Sequence, residues 1–157
     1  MDKSLRRILV LSGAVMVGGA LGAVCRVLIA SAIHGQGLDF TTIQMQGNFP
    51  FATLIVNIVG SFGLGLIVGL YASQSQRSEN ARETWLIVMG AGFFGSFTTF
   101  SAFTYELVNL WSWHEHAYAI SNQALVVVSG LTHLAGGLFA ASMGFVVAMK
   151  WRLSGGE

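Results

Sequence analysis

Side chains that can bond an ion interrupt four otherwise apolar stretches of the sequence. They include the amide of Asn57, the imidazole of His133, the guanidinium of Arg26 and the carboxylate of Glu106, with many hydroxyls between them. Amides and hydroxyls can donate the hydrogen bonds that replace water around a small ion. No nucleophile, base and orienting acid share a recognisable motif, and no nucleotide-binding loop is found. We therefore expect no enzymatic activity.

A polar stripe runs along the second apolar stretch. Thr53, Asn57, Ser61, Gly65 and Gly69 recur at every fourth residue, which puts them on one face of a helix. Two hydroxyls and an amide are costly in hydrocarbon, so this face should meet protein or a watery cavity. Interhelical hydrogen bonds and donors aimed at an anion both fit this pattern.

The first and fourth stretches carry shorter patterns of the same kind. Gly18, Gly22 and Arg26 recur every four residues, which predicts a closely packed face. The guanidinium of Arg26 either snorkels toward the membrane surface or attracts anions. Ser129 and His133 are also four residues apart, and an intramembrane histidine is more often a packing residue than a ligand.

The third stretch holds the most unusual run, from residue 92 to residue 106, where glycines, hydroxyls and aromatic rings replace aliphatic side chains. Gly95 and the three hydroxyl residues within the next four positions combine flexible backbone with side chains that compete for backbone hydrogen bonds. We therefore expect a break in the helix. Irregular backbone at membrane depth must be buried or line a cavity, and its carbonyls can coordinate a cation. A tilted, continuous helix of about 40 Å is the alternative.

Aromatic residues recur at every third position of the same run. The ring edges of Phe97, Phe100 and Phe103 carry partial positive charge and can border an anion, although most such stripes are core. Glu106 follows near the end of the stretch, where a wet vestibule and the membrane interface are equally suitable surroundings.

Composition indicates that these stretches lie in a membrane. Of the 157 residues, 54% are hydrophobic and 10% are charged, against about 25% charged in soluble domains. A spanning helix needs about 20 apolar residues to cross about 30 Å of hydrocarbon. The sequence therefore predicts an all-α integral membrane fold, a single transmembrane domain over residues 1–157, with four spans near 8–33, 51–72, 85–111 and 124–149.

Charge placement sets the expected orientation. Seven of the eight Lys and Arg residues flank the spans on the side of the two termini, which should be cytoplasmic in a multi-pass protein of the cell inner (plasma) membrane. The net charge of +1 offers no basic surface for nucleic acid. Cys25 is the single cysteine, which excludes an internal disulfide framework. Because Val24 rather than a small residue precedes it, we interpret the basic start as the flank of a membrane helix, not a removable leader.

Several motifs together carry a family resemblance: Gly22-x-x-x-Arg26, Thr53-Leu54-x-Val56-Asn57-x-x-Gly60, and Gly92-x-x-Gly95-Ser96-x-Thr98-Thr99-Phe100-Ser101-x-Phe103 with Glu106. Through them the chain resembles the small fluoride channels of the CrcB/Fluc family, across essentially all four spans. The resemblance implies an antiparallel dimer of two oppositely inserted copies with two fluoride pathways. Neither subunit would make a pore alone.

The resemblance also implies roles for individual residues. Phe100 and Phe103 would be the walls of the pore, Asn57 its amide, Ser101 a pore hydroxyl and Arg26 a vestibule cation. Further candidates along the pathway are Thr53, Thr99, Glu106, Ser129 and His133.

A structural sodium ion at the dimer centre is implied as well, held by the backbone carbonyls of Gly95 and Thr98. The helix break expected at this place would expose such carbonyls independently of the resemblance. Departures from the family pattern are Ala102, Ala52 and Ser96, and Gly137 stands where the family often has a serine. The one-sided basic charge is a further departure, because it favours one orientation, and it makes an oppositely oriented paralogue the alternative to a second copy of the chain as partner.

The function that these features predict is passive, fluoride-selective conduction that lowers cytoplasmic fluoride. Hydrogen fluoride enters cells from acid surroundings and dissociates in the more alkaline cytoplasm, and the channel drains the trapped ion. The alternative is a small four-helix coupled transporter, such as a proton-linked exporter, which requires a carboxylate deep in the membrane. The depth of Glu106 distinguishes the two. A haem or assembly subunit has only the four histidines in its favour, and three of these lie in predicted loops.

Overall fold

The computed structural model of the chain describes residues 2–34, 49–73, 84, 86–112 and 121–154. Every regular element within these ranges is a helix. Their bounds are α1 Lys3–His34, α2 Phe51–Ser73, a π-helix, π1, Leu86–Phe94, α3 Gly95–Phe97, α4 Phe100–Ser112 and α5 Asn122–Ser154. We refer to π1, α3 and α4 together as the third span.

Four helical stretches are long and apolar enough to cross a membrane: Ser4–Ile33, Phe51–Ala72, Leu86–Ser112 and Asn122–Trp151. The predicted all-α membrane fold with four spans and a broken third helix is thereby confirmed. Helices α1 and α5 extend past their predicted spans, since each continues into a polar flank. The predicted loop residues His114, Glu115, His116, Arg77 and Arg82 lie outside the described residues.

Helices α2 and α5 pack along one another over most of their length. Glycines allow this approach: a Cβ added at Gly65 would overlap the carbonyl of Ala141, and one added at Gly144 would overlap the carbonyl of Phe62. At Gly69 an added Cβ would lie 2.7 Å from the Cβ of Ala148. Small residues at these positions bring the backbones together, which is how helices associate where no hydrophobic effect drives them.

Helix α1 packs on the first half of the third span. A Cβ added at Gly18 would lie 3.1 Å from the carbonyl of Val88, and one at Gly22 would overlap the carbonyl of Phe93. The closely packed face predicted from the spacing of these glycines is confirmed. Most of the other side of α1 is exposed in the single chain, as expected of a surface that meets lipid or another subunit.

The third span changes geometry twice. It starts as the π-helix π1, a form that usually occurs only as single turns and often at functional sites. No sequence pattern predicted it. After the single turn of α3, Thr98 adopts extended backbone with φ −73° and ψ 156°, and α4 begins at Phe100. The predicted break is therefore at Thr98 and Thr99.

Candidate ion pathway

The break in the third span is held by one side chain of α2. Asn57 donates from Nδ2 to the carbonyl of Thr99 at 3.1 Å, and its Oδ1 accepts the backbone N–H of Thr99 at 2.8 Å. Both backbone groups of the irregular residue are thus satisfied, as buried backbone must be. Because the amide has two N–H groups, one of them remains after this pairing.

Three further features shape the break and the start of α4. Thr99 is the N-cap of α4, since its Oγ1 accepts the N–H of Ala102 at 3.1 Å. The hydroxyls of Thr99 and Ser101 are also bonded to one another, at 3.2 Å. Gly60 on α2 admits the break sterically, because a Cβ at this position would overlap the methyl group of Thr98.

The break redirects the amides that would pair with two carbonyls in a continuous helix. The N–H of Thr99, four residues after Gly95, donates to Asn57. The N–H of Ala102, four residues after Thr98, donates to the side chain of Thr99. The carbonyls of Gly95 and Thr98 therefore lose their regular helical donors. Carbonyl oxygens of this kind are suitable ligands for a hard cation.

A cavity of about 460 Å³ opens beside the break. Its walls come from α2, the third span and α5, namely Asn57, Ser61, Leu64, Thr98, Thr99, Phe100, Phe103, Gly130, His133 and Leu134. Phe100 is 76% exposed and Leu134 is 66% exposed in the single chain, so the cavity is open on that side. Aromatic and aliphatic walls with an amide, hydroxyls and an imidazole resemble an ion passage more than a packed core.

The imidazole of His133 closes the α5 side of this cavity. It is buried, and its Nδ1 lies 2.9 Å from the carbonyl of Ser129. Its ring centroid lies 4.5 Å from that of Phe103, which in turn pairs with Phe100 at 5.7 Å. Nε2 is buried and has no hydrogen-bond partner within the described part of the chain.

Glu106 lies away from the cavity, one helical turn beyond Phe103 on α4. Its Oε1 accepts the hydroxyl of Thr53 at 2.6 Å, and its Oε2 is buried without a hydrogen-bond partner among the described residues. Thr53 is the third residue of α2, so this pair is close to one membrane face rather than at mid-depth. Thr53 and Glu106, both predicted as pathway residues, thus contact each other, and neither lines the cavity.

Five of the ten predicted pathway residues line the cavity: Asn57, Thr99, Phe100, Phe103 and His133. The other five do not. Thr53 pairs with Glu106, Ser101 is exposed on α4, and Arg26 is half-buried on α1. Ser129 is fully buried, and its hydroxyl has no hydrogen-bond partner among the residues that the structure describes.

The aromatic stripe of the sequence divides at the break. Phe97 is only 3% exposed and stacks on Phe93 at 5.8 Å, so it belongs to the core, whereas Phe100 and Phe103 line the cavity. Cavity residues outside the predicted set are Ser61, Leu64, Thr98, Gly130 and Leu134. The sequence could have predicted Ser61, because it lies one helical turn after Asn57. Gly130 and Leu134 can be assigned to the cavity only once the position of His133 is known.

Comparison with known proteins agrees with this geometry. Residues 13–145 match the family of CrcB-like proteins (Camphor Resistance, CrcB). The chain belongs to the CrcB family. The family is one of channels rather than enzymes, which confirms the expectation that the chain has no enzymatic activity. Family membership and the four apolar helices also confirm the predicted localisation as a multi-pass protein of the cell membrane.

Several CrcB relatives cover most of the chain. A "Fluoride-specific ion channel FluC" of Idiomarina loihiensis is 39% identical over 136 residues, 87% of this chain and 92% of the relative. A protein of the same name from Sphingopyxis alaskensis is 37% identical over 133 residues, 85% and 90% of the two chains. "Fluoride-specific ion channel FluC 1" of Carboxydothermus hydrogenoformans is 34% identical over 130 residues, 80% and 89%.

Proposed function

We propose that this protein is a fluoride-selective channel that lets fluoride leave the cytoplasm passively. The observation that carries the proposal is the cavity beside the broken third span, which Asn57, with one N–H left after its pairing to Thr99, lines together with Phe100 and Phe103. The names of its CrcB relatives support the same function.

Fluoride is small and strongly hydrated, so a pathway must replace lost water by close donors. Asn57 and the hydroxyl of Ser61 supply donors on one side of the cavity, and Thr99 does so when Ser101 is the donor in their shared bond. The hydroxyl of Thr98 already donates to the carbonyl of Phe94. The edges of Phe100 and Phe103 carry partial positive charge and border the ion without holding it tightly, which conduction requires. In this proposal, a narrow bore in the assembled channel excludes the larger chloride ion.

Two copies of the chain complete the pathways in this proposal. The cavity is open beside Phe100 and Leu134, and a second copy in antiparallel orientation would close it. Ser101, exposed on α4, would then face the second copy or the pathway. The one-sided basic charge of the chain makes an oppositely oriented paralogue the other candidate for the partner.

A sodium ion at the dimer centre is part of the proposal. The carbonyls of Gly95 and Thr98 fit it, because both have lost their regular helical donors and a hard cation prefers oxygen. The ion would supply a fixed positive charge that ties the two broken helices together. Replacing sodium by N-methylglucamine during purification should lower the melting temperature, as loss of any ligand of the folded state does. A melting temperature independent of sodium would contradict this part.

The remaining candidates have places at the ends of the pathway. Arg26 on α1 and Glu106 on α4 would lie in vestibules, with Thr53 orienting the carboxylate through the 2.6 Å bond. Ser129 supports His133 through its backbone carbonyl. The coupled-transporter alternative is not favoured, since Glu106 lies beside the third residue of α2 and away from mid-membrane.

The test is fluoride efflux from liposomes loaded with potassium fluoride, started by valinomycin and recorded with a fluoride electrode. We expect rapid loss of fluoride without loss of chloride. Phe100→Ile removes a ring edge that borders the ion, and Asn57→Asp replaces an amide donor by a negative charge that repels it, so each should reduce the flux at least about tenfold. Phe139→Ile is the matched control, because this ring is exposed on α5 outside the cavity. The flux of this variant should stay at the wild-type level. Absence of flux from well-folded protein would overturn the homodimeric channel.

A further inference from the structure

The position of His133 determines which of its two ring nitrogens carries the hydrogen. The side chain is 8% exposed, lines the cavity, and places Nδ1 2.9 Å from the backbone carbonyl of Ser129. A carbonyl oxygen can only accept a hydrogen bond, so Nδ1 must carry the hydrogen. A neutral imidazole has one N–H, and in this geometry it is already used.

The other ring nitrogen is consequently a lone-pair acceptor in the neutral side chain. Nε2 is buried, and no donor reaches it from the described residues. A lone pair repels an anion and cannot replace a water molecule in its hydration shell. Neutral His133 is therefore unfavourable to fluoride in the cavity, although the residue is polar.

Protonation reverses this property. The imidazolium has an N–H at both nitrogens, so Nδ1 keeps its bond to Ser129 while Nε2 becomes a charged donor. The ring of Phe103, 4.5 Å away, is within the distance at which an aromatic face stabilises a cation. The buried Nε2–H would then need an acceptor, and a charge-assisted bond to a small anion provides one.

We propose that His133 is an anion-binding residue of the cavity that acts only as the imidazolium, so that a proton and a fluoride ion occupy the site together. This inference rests on the proposed fluoride conduction and adds to it the condition under which conduction is fast. Binding as a neutral ion pair also avoids the cost of an isolated charge at membrane depth. The pathway would open most under acid conditions, when hydrogen fluoride enters the cell.

Few other titratable groups approach His133. Helix α2 contributes only Tyr71, ten positions after Ser61 and therefore about 15 Å further along the helix. Helix α4 contributes Tyr105 and Glu106, and α5 itself has Lys150 and Arg152 near its far end. Neither π1 nor α3 has a titratable side chain.

Among the residues that the structure describes, Glu106 is the one nearby group that could compete with fluoride as counter-ion. It lies one turn beyond Phe103 on α4, and its Oε2 has no hydrogen-bond partner in the described structure. Its other oxygen is bonded to Thr53, which holds the carboxylate toward the start of α2. The experiment below therefore includes a variant of this residue.

The first measurement compares fluoride efflux at about pH 5.5 and about pH 8, with equal pH inside and outside and with the leak of protein-free liposomes subtracted. Wild-type flux should be at least about tenfold higher at the lower pH, because the imidazolium fraction changes by more than that over this interval. His133→Gln has a permanent N–H donor, so its flux should be similar at both values, and His133→Asn is the second choice if that variant does not fold.

Two further variants separate His133 from other groups. Replacing His34, His114 and His116 by Gln leaves His133 as the single histidine of the chain, and the tenfold pH response should remain. Glu106→Gln should also keep the ratio between the two pH values, whatever its absolute flux. A flat response in either variant would overturn the assignment to His133.

A second readout is independent of transport. In the single-histidine variant labelled with ¹⁵N, the imidazole should carry its hydrogen on Nδ1 at about pH 8, and the share with a hydrogen on both nitrogens should rise as the pH falls to about 5.5. Fluoride, but not chloride, should shift the Nε2 resonance at the lower pH. A hydrogen on Nε2 at the higher pH, or no response to fluoride, would contradict the proposal. Equal flux at the two pH values would overturn this inference alone, whereas no flux at either would overturn the channel function itself.

Discussion

The two halves of α2 have the same four-residue stripe but use it in opposite ways. In the first half, Thr53 and Asn57 bond to side-chain and backbone groups of the third span, and a cavity opens beside Asn57. In the second half, Gly65 and Gly69 bring α2 against α5 at backbone contact. One face of one helix therefore forms the wall of a cavity at one end and a tight seam at the other.

The difference shows what each residue type does when two helices meet. Glycine removes the side chain, so backbones approach and no space remains. Asparagine and threonine keep the helices apart and bond to groups that the broken third span cannot satisfy by itself. We call 53–61 the polar half and 65–69 the glycine half of α2. Substitutions in each half should have distinct effects.

The largest effect on stability is expected in the glycine half. Gly65→Ala forces a methyl group into the carbonyl of Ala141. The backbone fixes the position of the methyl group and the carbonyl is itself backbone, so neither can turn away. Overpacking of this kind should lower the free energy of unfolding by about 3 kcal/mol. This loss in the free energy of unfolding is measured by unfolding both proteins in mixed detergent micelles. Gly13→Ala is the control, since the space around Gly13 is open and alanine there should raise stability by up to about 1 kcal/mol.

The next largest effect is expected at the centre of the polar half. Asn57→Ala removes both hydrogen bonds to Thr99 and leaves two backbone groups unpaired. The loss should be about 2 kcal/mol, roughly 1 kcal/mol for each bond, and fluoride efflux should fall with it. Thr53→Ala removes a single bond and should cost about half as much. Equal stability of wild type and Asn57→Ala would mean that the amide does not hold the break.

A smaller effect is expected where α4 begins. Thr99→Val keeps the shape of the side chain but removes the oxygen that accepts the N–H of Ala102. Loss of this N-cap should lower the free energy of unfolding by about 1 kcal/mol. Thr99→Ser retains the oxygen and should restore most of the stability. If serine and valine destabilise equally, the methyl group rather than the cap is what matters.

The smallest effect is expected at the boundary of the two halves. A Cβ added at Gly137 of α5 would lie 3.5 Å from the hydroxyl of Ser61, an ordinary contact. Gly137→Ala should therefore change the free energy of unfolding by less than about 0.5 kcal/mol. A loss as large as that of Gly65→Ala would show that the tight seam reaches into the polar half, and the comparison drawn above would fail.

Several features were predictable from local sequence. Four apolar runs give four spans, since bilayer thickness sets how many residues a spanning helix needs. The break could be predicted because Gly95 and the hydroxyl residues after it weaken a helix wherever they occur. The stripe of α2 was predictable as well, because spacing alone determines which residues share a face.

Other features depend on contacts between distant segments. Asn57 and Thr99 are 42 positions apart, and no spacing rule pairs them. The aromatic stripe gave no sign that Phe97 would be buried and Phe100 exposed, because the break between them turns the chain. The sequence predicts Glu106 near a vestibule or an interface, and only the structure shows that Thr53 is its hydrogen-bond partner.

The sequence by itself determined the number of spans, the weak point of the third helix and the faces that hold polar groups, because these follow from residue type and helical period. Only the tertiary structure decided which face meets which helix. That choice settles whether Asn57 pairs with backbone, where the cavity opens, and which nitrogen of His133 keeps its hydrogen. Such outcomes depend on the positions of specific acceptors in space, here the carbonyls of Thr99 and Ser129, and helical periodicity carries no information about them.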